Sequence, residues 1–147
     1  MKDGWSTFPL FLAVSTSAGK SGYLEDLGVA VLHCVQCLST RFGYPNDEGL
    51  PEHPLYKHGL DQFGSEAVEV LNSPWAAEID GQAQRSVERI WGSRGISIPG
   101  EPRKSRHFIL PFKEATFECP AEDIVGATYA PDFQAAYAWV QQRFAEH

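Results

Sequence analysis

Residues 8–14 form a short apolar run, Phe-Pro-Leu-Phe-Leu-Ala-Val, followed by a Ser/Thr/Gly stretch. That pattern predicts a buried strand that opens a sheet and then turns. From Ser21 the period lengthens. Leu24, Leu27, Val31, Val35, Leu38 and Phe42 recur at steps of three and four, which predicts one amphipathic helix. Ser21 suits its N-cap, Glu25 and Asp26 suit the positive end of its dipole, and Gly43 followed by Pro45 ends it.

Residues 44–64 mix prolines, glycines and acids with Leu50, Leu55, Leu60 and Phe63, so an ordered loop with short helical turns is expected. Residues 67–71 have the composition of a strand. Ser73 and Pro74 then supply a cap and a first helical position. The helix they start passes through Trp75 and Ile79 and either continues past Gly81 or divides there. Residues 92–106 carry glycines, prolines and the basic group Arg103, Lys104 and Arg106, and are expected to be exposed and mobile.

A hairpin follows. Phe108, Leu110 and Phe112 alternate on one arm, and Ala115, Phe117 and Cys119 on the other. Pairing these faces puts His107, Ile109, Pro111 and Lys113 together with Glu114, Thr116 and Glu118 on the opposite, polar face. Pro111 lacks an N–H, which predicts an edge position or a bulge. Residues 123–129 are a further candidate strand. A last helix is expected from about Pro131, because Phe133, Ala136, Tyr137, Val140 and Phe144 share one face. The fold class is therefore α+β, a mostly antiparallel sheet with helices packed on one face, in a single domain of residues 1–147.

With 147 residues, of which 43% are hydrophobic, the chain can bury one sizeable core. Its net charge of -7 argues against nucleic acid and anionic membranes as partners. No window approaches the roughly twenty apolar residues of a transmembrane helix. Lys2, the apolar run and the small residues after it loosely imitate a secretory signal, but Asp3 and Pro9 count against it. Three cysteines, Cys34, Cys37 and Cys119, are an odd number in a chain too large to need disulfide staples, so a reducing, cytoplasmic compartment is expected.

Four features bear on chemistry. Ala18-Gly19-Lys20-Ser21 imitates a phosphate-binding loop but places Val14 where the first glycine belongs, so a turn capped by Ser21 is preferred. Cys34 and Cys37 form a C-x-x-C inside the predicted apolar helix, without a second pair, and are read as buried small hydrophobes and not as a metal or redox site. His53, Tyr56 and His58 cluster in a loop, where binding groups concentrate, although Tyr56 also suits a loop anchor. His107, Thr116 and Glu118 project together from adjacent arms of the hairpin. A histidine beside a glutamate is a workable acid/base pair if it is shielded from water, while a solvated sheet face would show the same residues without function. Trp75, Trp91 and Trp139 are assigned to core or interface. No nucleophile elbow, H-E-x-x-H, dinucleotide fingerprint or calcium loop is present, and nothing names a cofactor.

The segments His53-Pro54-Leu55-Tyr56 with Gly59-Leu60, residues 69–75 (EVLNSPW) and Arg106-His107-Phe108 continuing to Thr116-Phe117-Glu118-Cys119 resemble a pattern in small uncharacterised bacterial proteins. The match covers about half of the chain, residues 53–122, and departs at residues 92–102. It implies a bacterial origin and no particular activity. The chain's size and isolation also suit a stand-alone protein carried on a mobile gene cassette.

Two functions follow. The first is a non-enzymatic binding module for a protein, a small ligand or a second copy of the chain in a homodimer. The second is a small hydrolase-like or metal-assisted enzyme that combines His53 or His58 with His107 and Glu118. Convergence of those four residues in one cleft would favour the enzyme, and their scatter the binding module.

Overall fold

The computed structural model describes residues 9–20, 23–63, 66–97 and 100–146. It contains strands β1 (Leu10–Lys20), β2 (Tyr23–Val35), β3 (Arg41–Gly43), β4 (Val68–Val70), β5 (Arg106–Pro111), β6 (Thr116–Ala121) and β7 (Asp123–Ala130), with helices α1 (Pro74–Gly92) and α2 (Phe133–Ala145). Every strand pair is antiparallel, and the fold is α+β. Among the described residues, 9–36 with 123–146 form one compact unit and 37–122 form the other. No helix among them is long and apolar enough to cross a membrane.

The first unit is a three-stranded sheet of order β1-β2-β7 with α2 packed against it. Val29 and Val31 alternate on β2 and meet Ala130 and Ala136, with Phe11, Ala13 and Trp139 around them. Phe11 meets the Trp139 ring edge-on at 5.4 Å. Asp132 caps α2 by accepting the Ala135 N–H at 2.8 Å.

The helix expected from Ser21 to Phe42 does not form, and its place is taken mainly by β2, the central strand of this sheet. The helical stripe would have turned Leu27, Leu38 and Phe42 inward, yet they are 53%, 41% and 67% exposed. β-Branched Val29, Val31 and Val35 favour the pleated alternative, and two neighbouring strands satisfy the backbone of β2 on both edges. Gly28 opposes a helix as well. Its φ is +97°, and a Cβ there would come 2.6 Å from the Ala130 carbonyl oxygen, so only glycine fits. Ser21, expected as a cap, lies outside the described residues. The phosphate-loop imitation ends on Ser21, and Gly19 and Lys20 belong to β1.

The second unit is a four-stranded sheet of order β3-β6-β5-β4. The hairpin has the expected register, with Phe108 opposite Cys119 and Leu110 opposite Phe117. Its polar face is not solvated, however. His107, Ile109, Thr116 and Glu118 are all buried. The loop before β4 lies over that face, with Leu50, Leu60, Leu55 and Tyr56 packed around Ile109. One core was expected, and each unit instead has its own apolar cluster.

β5 is an inner strand, but β4 pairs with it only from His107 to Ile109. Phe112 N–H bonds Ala115 across the hairpin, so by alternation the nitrogen of Pro111 faces the side that β4 does not reach. Ser73 caps α1 by accepting the Ala76 N–H at 3.2 Å, Pro74 opens the helix, and Gly81 does not interrupt it.

The described residues of the stretch after α1 are mostly exposed, as expected, but Arg103 and Ser105 anchor its end. The Arg103 side chain is 7% exposed, and its Nε–H donates to Asp80 at 3.1 Å. Ser105 donates its backbone N–H at 2.7 Å and its hydroxyl at 2.6 Å to the same carboxylate. Arg106, at the start of β5, pairs with Glu69 on neighbouring β4 through two bonds of 2.9 Å.

Candidate functional site

The site is built on the buried face of the hairpin. β-Strand alternation places His107 on β5 and Glu118 on β6 on the same side of the sheet. The loop before β4 brings His53 down onto that side, and the corner between β4 and α1 brings Ser73.

His107 Nε2–H donates to Glu118 Oε1 at 2.9 Å, and His53 Nε2–H donates to Glu118 Oε2 at 3.0 Å. The Leu55 backbone N–H donates to His53 Nδ1 at 3.1 Å. That bond fixes His53 as the neutral Nε2–H tautomer, since a protonated imidazole has no acceptor to offer. On the other side of His107, Nδ1 stands 2.8 Å from Ser73 Oγ. With Nε2–H committed to a carboxylate, Nδ1 of the neutral ring accepts the Ser73 hydroxyl proton. The result is a continuous chain, Ser73 O–H to His107 to Glu118, braced by His53.

Burial works to raise the Glu118 pKa, but the hydrogen bonds from His107 and His53 outweigh it and hold the carboxyl below its ordinary range. Glu118 therefore stays ionised.

The chain ends at a cavity of about 400 Å³ whose walls include Arg41, Tyr44, His53, Ser73, Trp75, His107 and Glu118. Trp75 meets His107 edge-on at 5.1 Å, and the Arg41 guanidinium lies 3.9 Å over the Trp75 ring. Arg41 is exposed and makes no ion pair among the described residues. No protein-family model, curated protein or solved structure matches this chain.

Of the residues singled out from sequence, His53, His107 and Glu118 converge. Thr116 is buried on the same strand face, but its hydroxyl donates to the Pro45 carbonyl at 2.7 Å and holds the loop. Tyr56 packs into the apolar cluster around Ile109. His58 is exposed at the end of the 3-10 turn Tyr56–His58 and does not line the cavity. Among the described residues no group of three or more His, Cys, Asp or Glu is arranged to hold a metal ion.

Ser73 is the member that the sequence reading assigned only to capping. A signal was nonetheless present: a serine at a strand-to-helix corner, preceded by Asn72, which takes a left-handed φ of +55°. Asparagine tolerates that conformation better than most residues, and it makes the corner sharp.

Proposed function

We propose that this protein is a small hydrolase-like enzyme that transfers an acyl group from an ester or amide through Ser73. The observation that carries the proposal is the unbroken hydrogen-bond chain from Ser73 through His107 to Glu118, opening on a cavity. A nucleophile within reach of a base, and a base oriented by a third group, is the functional definition of a serine triad, and such triads are recognised by geometry and roles. Here Nδ1 faces the serine and Nε2 the carboxylate.

In the proposed reaction, Ser73 Oγ attacks the substrate carbonyl carbon as its proton passes to His107 Nδ1. The imidazolium so formed keeps Nε2–H on Glu118 Oε1. His107 then returns the proton to the leaving alcohol or amine, and water repeats the sequence to release the acid. The Ala76 N–H on Ser73 Oγ favours the alkoxide. Pro74 has no N–H, so the Trp75 N–H, in the first turn of the helix where backbone donors lack intrahelical acceptors, is the donor assigned to the developing oxyanion. Arg41, held on Trp75 at the cavity wall, suits a substrate that carries an anionic group.

A fluorophosphonate probe tests the assignment. Covalent labelling is expected on Ser73, absent in Ser73→Ala and suppressed in His107→Ala. Hydrolysis of p-nitrophenyl esters should fall by about a thousandfold or more in both variants. A folded wild-type protein that is neither labelled at Ser73 nor active on esters would overturn the proposal. The binding-module reading would then stand on the same cavity, with Arg41 as its anion contact.

A further inference from the structure

Ser73 lines a second cavity as well as the one already described. The two share Val70, Ser73 and Pro74 and no other wall residue, so Ser73 stands at the divide between them. The second cavity, of about 960 Å³, runs along α1 from Ala76 to Gln84 and is closed by the chain from Pro102 to Arg106. Asp80 on α1 accepts hydrogen bonds from Arg103 and Ser105, which fixes these two walls to each other.

His107 decides which part of a substrate enters which cavity. It lines the first and is absent from the wall of the second. In acyl transfer the histidine that takes the serine proton returns it to the leaving atom, so the leaving group departs on the His107 side. The acyl portion stays on Ser73 and has the second cavity. The first, at about 400 Å³, then restricts the leaving group to a small one, and the second, more than twice as large, takes a chain.

The first cavity narrows the leaving group further. Two successive ring contacts separate the Arg41 guanidinium from the His107 imidazole, 3.9 Å to Trp75 and 5.1 Å from Trp75 to His107. An α-amino acid carries its carboxylate two bonds from its nitrogen, a span that fits between those groups when a hydrogen bond is made at each end. Glu52 on the same wall is exposed and does not pair with Arg41.

We infer that the substrates are peptides, from which the protein removes the C-terminal amino acid, an inference that rests on acyl transfer through Ser73. The last peptide C–N bond breaks as the bond from Ser73 Oγ to the carbonyl carbon forms, and the Ser73 proton passes through His107 Nδ1 to the departing amine. Water then cleaves the Ser73 ester. The balance is one peptide and one water converted to a peptide shorter by one residue and a free amino acid.

The test incubates the folded, full-length protein with N-acetylated random hexapeptides that end in either a free carboxylate or a carboxamide, and reads the products by mass spectrometry. Fluorophosphonate labelling of the same preparation reports the serine chemistry separately. Wild type should release single C-terminal residues from the free acids, and at least about tenfold more slowly from the carboxamides. Arg41→Gln, with its fold verified by circular dichroism, should bring the two rates together. N-acetylated dipeptides, which leave most of the second cavity empty, should react more slowly than hexapeptides. A protein that is labelled at Ser73 but trims neither set, cuts internal bonds or does not prefer free acids would overturn the inference and leave acyl transfer standing. A preference retained by Arg41→Gln, or equal rates on dipeptides and hexapeptides, would overturn it as well. Absence of labelling in the folded wild type would overturn both.

Discussion

The two units bury different kinds of side chain. Under α2, the three-stranded sheet closes over Val29, Val31, Ala130 and Ala136, all apolar. In the four-stranded unit, His53, Ser73, His107, Thr116 and Glu118 are buried among the apolar groups. An apolar core needs only volume and shape. A buried polar group needs a partner for each donor and acceptor, and often contributes less than an apolar replacement would. Concentration of such groups beside a cavity is the difference on which the proposed acyl transfer rests.

The largest effect should come from removing the acceptor that the two histidines share. Glu118→Ala leaves His53 and His107 buried with donors and no carboxylate, a loss of about 3–5 kcal/mol by analogy with broken buried pairs. Urea unfolding of the variant against wild type checks it, and a loss below about 1 kcal/mol would place the cluster among ordinary surface polar contacts. The same carboxylate has a pH signature. Its folded pKa lies below its unfolded value, so its stabilising contribution is fully present above the unfolded pKa and disappears as the pH falls through the folded one. Glu118→Gln should flatten that part of the acid limb, and an unchanged limb would show that other carboxylates set it.

Next in size is a backbone effect in the apolar unit. Gly28→Ala must hold alanine at a φ of +97° and push its Cβ against the Ala130 carbonyl, so a loss of about 2–3 kcal/mol is expected from unfolding curves. If the two regions differ in purpose as argued, probe labelling of Ser73 stays unchanged in this variant wherever it remains folded. A parallel loss of labelling would break the comparison.

Where the pattern was local, the sequence made the fold legible. Period-two alternation on both arms specified the register of β5 and β6, and Ser73-Pro74 marked a helix start through capping chemistry. β2 was misread because its apolar residues fit a helical stripe as well as a strand. Its pairing with β1 and β7 is non-local, and periodicity does not report non-local pairing. The site divides in the same way. His107 and Glu118 share a face by alternation alone, whereas His53 reaches Glu118 across 65 positions through the path of a loop. Ser73 went unnoticed as a candidate nucleophile because a cap already explained it.

The smallest effect tests whether an exposed charge pair on the apolar unit matters at all. Arg143 donates to Glu146 at 3.2 Å, both side chains are about half exposed, and the pair lies at the end of α2. Such pairs contribute roughly 0–1 kcal/mol and weaken with salt. The Arg143 guanidinium also lies 4.8 Å over the Trp139 ring, on the helix that closes this core. Arg143→Ala should therefore cost no more than about 1 kcal/mol in urea unfolding. Repeating the measurement for Arg143→Ala and Glu146→Ala at high salt separates the two contacts. A loss in Arg143→Ala that persists in salt, with none in Glu146→Ala, assigns the contribution to coverage of Trp139. A loss shared by both variants and erased by salt assigns it to the ion pair, and would make charge on this unit as adjustable as its polar neighbour is constrained.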